Sequence, residues 1–483
     1  MKASRTKNFL LFLGLLLALP CMSARAQDQP PGSSQQPAPP DSGAPPQGEE
    51  DVPTVLQTPQ NDRTPVSGVE DYRLDGLNLG RNFLLGTIKF TEVYDTNTNS
   101  SKSSSKSLND SISTLHGNLS LQWLSPKTAL DLDYNTGVLF YSKGTFSTSM
   151  VQQLNVTEKL YIHRWTVLFG NDFAYLPQSP VGLGGLGVGS VGNGGNGGIP
   201  GLGGGLTNYN PFYVPGQSIQ SVGNRVSNAV VGQGQYTIGP RSSLNFSGTY
   251  SLVHFFDSGF LNSRSIGLRF GYDYLMNARN TITFALSSSD FGYSTGISSF
   301  SNHSATAAYR RTLTGRLSVI IQGGPQISHF SSPLTGSSNR YSWMLRSVVR
   351  YVKTRNDLNL IYLHHITEGS GLLVGASSDA LLAQVGRTLT RRWSGSLIAD
   401  FSHNSSLRQT TGATLGRHFT TWRGGIEMQR TLGSRTSIQF RYTASRQTAN
   451  VSICALNIPC GSIALRQQIG MGINWASRPY SID

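Results

Sequence analysis

Four constellations in the sequence could do chemistry. The first is Gly182, Gly184 and Gly187, a literal G-x-G-x-x-G opening the run GLGGLGVGSVGNGGNGGIPGLGGG (182–205). Such a turn cradles a dinucleotide when a strand precedes it, a helix follows and an acid stands about 20 residues on. WTVLFGNDFAYLP supplies the strand. Pro200 and further glycines stand where the helix should be, and no Asp or Glu occurs between Asp172 and Asp257. The spacing is a by-product of composition. The second is His364-His365 with Glu368. Neighbouring residues on a strand face opposite sides, which leaves His365 and Glu368 as two ligands, fewer than a zinc site needs. The third is Cys454 and Cys460, framing CALNIPC, with no further metal ligands nearby. The fourth is a set of arginines, Arg269, Arg346, Arg350, Arg423, Arg441 and Arg466. Guanidinium groups around a water-filled passage favour anions.

Each of these depends on the elements that carry it. From Phe83 onward the sequence alternates with period two. ALDLDYNTGVLFY sets Leu130, Leu132, Tyr134, Val138 and Phe140 against Asp131, Asp133 and Asn135. SIGLRFGYDYL and TSIQFRYTAS do the same, with Arg269 and Arg441 on their polar faces. That pattern is a strand with one apolar and one polar face. The acids Asp273, Asp400 and Glu427 fall with the arginines.

Only 13% of residues are charged and 37% hydrophobic, against about 25% and 45–50% in an ordinary soluble domain. Few charges, many uncharged polar residues and 10% aromatics suit a wall with lipid on one side and water on the other. No apolar run after residue 26 reaches the roughly 18–20 residues of a membrane helix.

Short and long connections alternate along the pattern. Short turns fall at 125–128, 162–164, 239–242, 277–280, 314–316, 353–357, 390–392 and 432–435. Longer ones fall near 98–110, 143–147, 177–217, 257–262, 294–299, 331–339, 368–379, 405–411 and 451–460. Eight turns and nine loops predict eighteen strands, within a range of 16–20. The predicted fold is an all-β, transmembrane, antiparallel up-and-down β-barrel, with a large soluble β-sandwich or helix-free propeller as the alternative. An even count puts both termini on the short-turn side, the periplasmic side of an outer-membrane barrel. Every short turn carries a base: Lys127, Arg164, Arg241, Arg279, Arg316, Arg355, Arg391 and Arg435. Their expected partners are lipid phosphates at that rim, although polar turns in a basic barrel would show some bases regardless.

The N-terminus predicts export. Lys2, Arg5 and Lys7 precede an apolar core from Phe9 to Leu19 and a small-x-small site at Ala24-Arg25-Ala26, the layout of a signal peptide over 1–26. Cys21 leaves with it, so a disulfide between Cys454 and Cys460 is the expected state over two free thiols. Residues 27–64 are Pro-, Gln- and Ser-rich and predict a disordered periplasmic linker. Residues 65–80 form a short helix or plug-like segment, and 81–483 the barrel. Residues 27–80 hold nine acids and two bases, the remainder 33 bases and 16 acids. In an exported chain the available polyanions are outer-membrane lipid, lipopolysaccharide, phosphate and acidic sugars, not nucleic acid.

The longest connection, 177–217, is expected either to fold inward as a constriction, with Tyr209, Phe212 and Tyr213 stacking on a sugar ring, or to remain an external loop. His254, His303, His329, His403 and His418 near strand ends show no hydrolase signature, and rim polarity accounts for them better. No catalytic residue, metal or cofactor is expected, and the sequence assigns no oligomeric state.

GTIKFTEVYDTNTN (86–99), following a signal and a Pro-rich lead, resembles the opening strand of β-barrel porin-type outer-membrane proteins of Gram-negative bacteria. The layout from about 81 to 483 is similar too. The resemblance implies a channel for small polar, anionic or saccharide solutes. Some such proteins are thought to serve polysaccharide export, which is the alternative, and a barrel enzyme is a third reading. It also implies the barrel-assembly machinery as a partner. The usual terminal aromatic is missing, with Trp475 and Tyr480 short of the end.

Overall fold

A strand with one apolar face survives in a bilayer only if every backbone N–H and C=O is paired, which requires a closed sheet. The computed structural model describes residues 82–98, 108–144, 146–178, 222–256, 262–293, 299–332, 336–353, 355–367, 375–407, 418–449 and 463–482. The predicted signal, linker and short helix lie outside them. So do 179–221 with Tyr209, Phe212 and Tyr213, the Cys454–Cys460 segment, and Glu368.

The sheet begins with β1 (Phe83–Asp95), β2 (Asp110–Leu124), β3 (Thr128–Tyr141), β4 (Ser149–Ile162), β5 (Trp165–Gln178) and β6 (Val222–Gly239). It continues with β7 (Ser242–Phe255), β8 (Ser263–Asn277), β9 (Asn280–Tyr293), β10 (Ser299–Thr314), β11 (Leu317–Ser332) and β12 (Gly336–Lys353). It ends with β13 (Asn356–Thr367), β14 (Ala376–Thr388), β15 (Trp393–Ser406), β16 (His418–Thr431), β17 (Thr436–Ala449) and β18 (Ile463–Ala476). Each strand pairs antiparallel with the next, and β1 pairs with β18 from Thr87↔Ala476 to Asp95↔Gln468. The result is a closed 18-strand antiparallel barrel.

The closing seam is stapled at both ends. At the loop side, Arg466 donates to Asp95 Oδ2 from Nε at 2.7 Å and from Nη2 at 2.5 Å, and Gln468 Nε2 adds a bond at 2.8 Å. At the turn side, Ser477 N donates to the Gly86 carbonyl at 2.8 Å while its Oγ accepts from Gly86 N at 3.0 Å. The residues after Trp475 continue along the wall: β19 (Tyr480–Ser481) pairs with Leu84 and Phe83. The tail after Trp475 thus returns to the sheet at Tyr480 and Ser481.

The eight short turns share one construction. A basic residue stands immediately before the next strand, and its carbonyl accepts the N–H of a residue one strand further on. Tyr161 N donates to Lys127 O at 2.8 Å, Thr237 N to Arg164 O at 2.9 Å, and Leu275 N to Arg241 O at 2.7 Å. Arg279, Arg316, Arg355 and Arg435 repeat this. In the seventh turn the position belongs to Arg392 rather than Arg391, because β15 begins at Trp393.

Two expected loops are shorter than the sequence suggested. β11 and β12 are joined by 333–335 alone, and β14 begins at Ala376, so that Asp379 lies within a strand. Both strand ends extend past the apolar band, where neither face is apolar and period two is invisible.

At mid-strand the outward face is apolar and exposed: Leu268 is 63% exposed, Leu286 62% and Ile469 60%. Leu268→Arg, at mid-strand beside the inward Arg269, is expected to destabilise the barrel by about 2–4 kcal/mol, the cost of a base at the bilayer midplane. Urea unfolding in liposomes measures it, and a shift below about 1 kcal/mol would argue against lipid at this face.

Candidate functional site: the charged lumen

Eighteen strands spaced about 4.8 Å apart and tilted about 40° give a backbone tube roughly 35 Å across. Its inner wall is polar. Cross-strand rows place Thr87 beside Asn118, Asn135 beside Gln153, Ser247 beside Arg269 and Gln322 beside Arg346 on that face.

All six candidate arginines sit on inward positions, in two different settings. Arg423 is paired with Asp400, Arg441 with Glu427 at 3.5 Å, and Arg466 with Asp95. These form cross-strand ion pairs on β15–β18 and around the seam, so their charge is locally balanced. Arg269, Arg346 and Arg350 belong to the other half. Arg269 lies between Ser247 and Ser287 and interacts with Asp273, Arg346 lies between Gln322 and Leu363, and Arg350 lies between Ser318 and Asn359 and interacts with the inward Asp357 of β13.

This second group is larger than the sequence reading allowed. Arg225, Arg310 and Arg340 share the inward face of β6–β12 with it. Asp273 is the one inward acid among the described residues of those strands, and it accepts bonds from Asn245 at 2.8 Å and Thr283 at 2.5 Å. Arg310 is adjacent to Arg311, and the stretch SATAAYRRT has too little apolar contrast to show which of the two faces inward. Arg340 lies where β12 is polar on both faces. Arg225 stands a few residues after the long connection 177–217. Extending the parity of Val226, Val230 and Tyr236 would have found Arg225.

The inward acids of β3–β5 are Asp131, Asp133 and Asp172. β3 and β12 stand nine strands apart in an 18-strand circuit, so they face each other across the lumen. Asp131 is three residues from the turn end of β3, and Arg350 three residues from the turn end of β12. Opposed charges at matching height impose a field across the passage.

The loop-side mouth is apolar on its inner face. Val93, Ile112, Leu139, Tyr141, Val151 and Ala174 form one buried patch on β1–β5, covered in part by Phe146 from the β3–β4 connection. On β9–β11, Phe300 stacks against Phe291 at 4.4 Å and Phe330 at 5.3 Å. Ile366 and Leu407, from the ends of β13 and β15, pack onto this second patch. β10 and β15 are five strands apart, so the contact crosses the inside of the wall, and the inward Arg340 reaches the Leu407 carbonyl at 3.4 Å. The rim of β13–β15 is therefore folded into the mouth. Nothing in the sequence marks this.

Gly375 makes the fold-in possible. Its φ is +70°, and a Cβ there would stand 2.9 Å from Phe300 Cε1 and 3.2 Å from Leu407 Cδ1. Gly375→Val is expected to cost about 1–2 kcal/mol in backbone strain and to push the rim away from Phe300. Urea unfolding of the folded barrel measures the cost, and an unchanged midpoint would show that position 375 accepts a side chain beside Phe300.

The two adjacent histidines separate as strand geometry requires. His365 faces inward beside Ser378, and among the described residues its ring nitrogens meet no hydrogen-bond partner. His364 faces outward, stacked on Trp343.

No family model matches the chain, and no curated protein matches it. Solved structures do. OccK2 (OpdF) of Pseudomonas aeruginosa, in complex with glucuronate, is 9% identical, with 82% of this chain and 97% of that one covered and a TM-score of 0.41. The outer membrane protein OpdK of the same organism is 9% identical, with 82% and 99% covered and a TM-score of 0.39. OccK11 (OpdR), also from P. aeruginosa, is 12% identical, with 86% and 99% covered and a TM-score of 0.39. The likeness is one of general architecture.

Proposed function

We propose that the protein is an outer-membrane channel that passes small polar solutes by diffusion, with anions and acidic sugars preferred. The observation that carries this reading is the arginine column of β12 facing Asp131 and Asp133 across a closed barrel. A solute with separated charge or a dipole aligns in such a field, and an anion is drawn along the arginine side. Half-buried inward aromatics at the mouth, Phe291 and Phe330, offer flat faces to a sugar ring beside Arg340. Both described ends of the barrel lie at the short-turn rim, and in this reading that rim is periplasmic. Lys127, Arg164, Arg241, Arg279, Arg316, Arg355 and Arg435 then meet inner-leaflet phosphates there, with Arg392 in the seventh turn.

The test is reconstitution of the folded, full-length protein in a planar bilayer under a KCl gradient. A reversal potential favouring chloride is expected. Cation selectivity would overturn the arginine argument, and no current from a folded barrel would overturn the channel.

A further inference from the structure

The lumen leaves one chemically dense region unexplained: the outward face of β13–β17 next to the long-loop rim. Register places His364, Asp379, His403 and Thr420 in one cross-strand row there. His364 Nδ1 lies 2.7 Å from Asp379 Oδ1, and the Tyr362 hydroxyl donates to the same oxygen at 3.0 Å. Trp343 stacks on His364 with ring centroids 4.0 Å apart and planes at 17°. His403 Nδ1 is 2.9 Å from Thr420 Oγ1, and the His403 ring is 5.4 Å from that of His418.

The next row towards the turns brings Phe401, Trp422 and Arg446 side by side, with the two rings 4.3 Å apart and Trp422 58% exposed. One row further, Ala383, Ala399, Gly424 and Ala444 follow one another across four strands. Among the described residues a Cβ on Gly424 would meet nothing within 4 Å, and four small residues side by side make this row a shallow trough. Beyond it the wall is aliphatic again at Val385, Leu397 and Ile426.

Polar and charged side chains facing hydrocarbon are costly, and the cost falls away towards the interface. A carboxylate, three imidazoles and a guanidinium on the outward face therefore belong at headgroup depth, within a few residues of the strand ends. Their order has a chemical sense. Asp379 and the histidines suit ring hydroxyls, Trp343 and Trp422 present faces for sugar C–H groups, and Arg446 suits a phosphate. The trough below has room for an acyl chain. A phosphoglycerolipid would engage Arg446 and leave the upper row unused. We infer that this surface binds one molecule class, an acylated and phosphorylated saccharide of the outer leaflet. The inference rests on the proposed outer-membrane placement with the short-turn rim periplasmic and not on conduction, since none of these side chains faces the lumen.

The experiment uses the full-length protein in nanodiscs of phosphatidylglycerol doped with purified deep-rough lipopolysaccharide, with bound lipid read by native mass spectrometry. Wild type is expected to retain the glycolipid at least about tenfold over phosphatidylglycerol. Asp379→Asn with Trp422→Ala is expected to lose about tenfold of that retention while keeping wild-type conductance and heat-modifiable migration. Should that pair fail to fold, Arg446→Gln with Trp422→Phe carries the same expectation. Equal retention in wild type and a folded variant overturns the proposal, as does equal retention of phosphatidylglycerol. Competition by the deacylated saccharide as strong as by the intact lipid overturns the glycolipid assignment. A silent barrel that still retains glycolipid would refute the channel and support this site.

Discussion

Replacing Asp95 with Ala is expected to unlock the barrel at its seam, with a loss of about 3–5 kcal/mol. Asp95 is 0% exposed and Arg466 4%. The carboxylate accepts two bonds from the guanidinium and one from Gln468, and its other oxygen accepts from Asn97 N at 3.0 Å. Removing one partner leaves a buried charge with no counter-charge, which is the expensive way to break such a pair. Asp95→Leu combined with Arg466→Met removes both charges and is expected to cost less than Asp95→Ala alone. Ser477→Ala, at the opposite end of the same seam, loses one ordinary hydrogen bond to Gly86 and is expected to cost about 1 kcal/mol. Urea titration of the full-length barrel, read by the folded and unfolded bands on a gel, orders the three variants. If Asp95→Ala fell within about 1 kcal/mol of wild type, the seam would be held by its backbone ladder alone.

The seam also shows what a sequence can and cannot disclose about such a molecule. Strand existence was readable because a barrel in lipid must alternate, and Leu268 beside Arg269 states both faces within two residues. The count of eighteen was readable from the alternation of short and long connections, even though one of the nine long ones shrinks to three residues at 333–335. What fails to show is anything that depends on two distant strands meeting. Asp95 and Arg466 are 371 residues apart, and no local pattern pairs them. The folded-in rim, with Leu407 against Phe300, is equally silent. The outward row of His364, Asp379 and His403 was obscured for another reason: near strand ends both faces are polar, so parity has no contrast to follow. The six lumen arginines were visible because they stand among apolar neighbours. Arg310 and Arg340 were not, since their neighbours are small or polar.

Turning the β12 column from basic to acidic is the largest functional change the geometry offers. Arg346→Glu with Arg350→Glu shifts the inner charge by four units on the side facing Asp131 and Asp133, so that both walls become acidic. The proposed preference for chloride is then expected to give way to one for potassium, with the reversal potential changing sign. The effect has a salt signature. The Debye length is about 10 Å at 0.1 M and about 3 Å at 1 M, so in a passage this wide the walls control permeant ions at low salt and lose that control at high salt. Sign reversal at 0.1 M with near convergence of mutant and wild type at 1 M is the expected pair of results. Gln322 beside Arg346 and Asn359 beside Arg350 can donate to the new carboxylates, which favours folding of the variant. Arg346→Gln with Arg350→Gln, which removes charge without reversing it, is expected to fall between. The complementary change, Asp131→Asn with Asp133→Asn, removes the opposing acids and is expected to raise the chloride preference. If both pairs of variants conducted with wild-type selectivity at 0.1 M, ions would be passing some other part of the wall, and the field between β3 and β12 would have no part in transport.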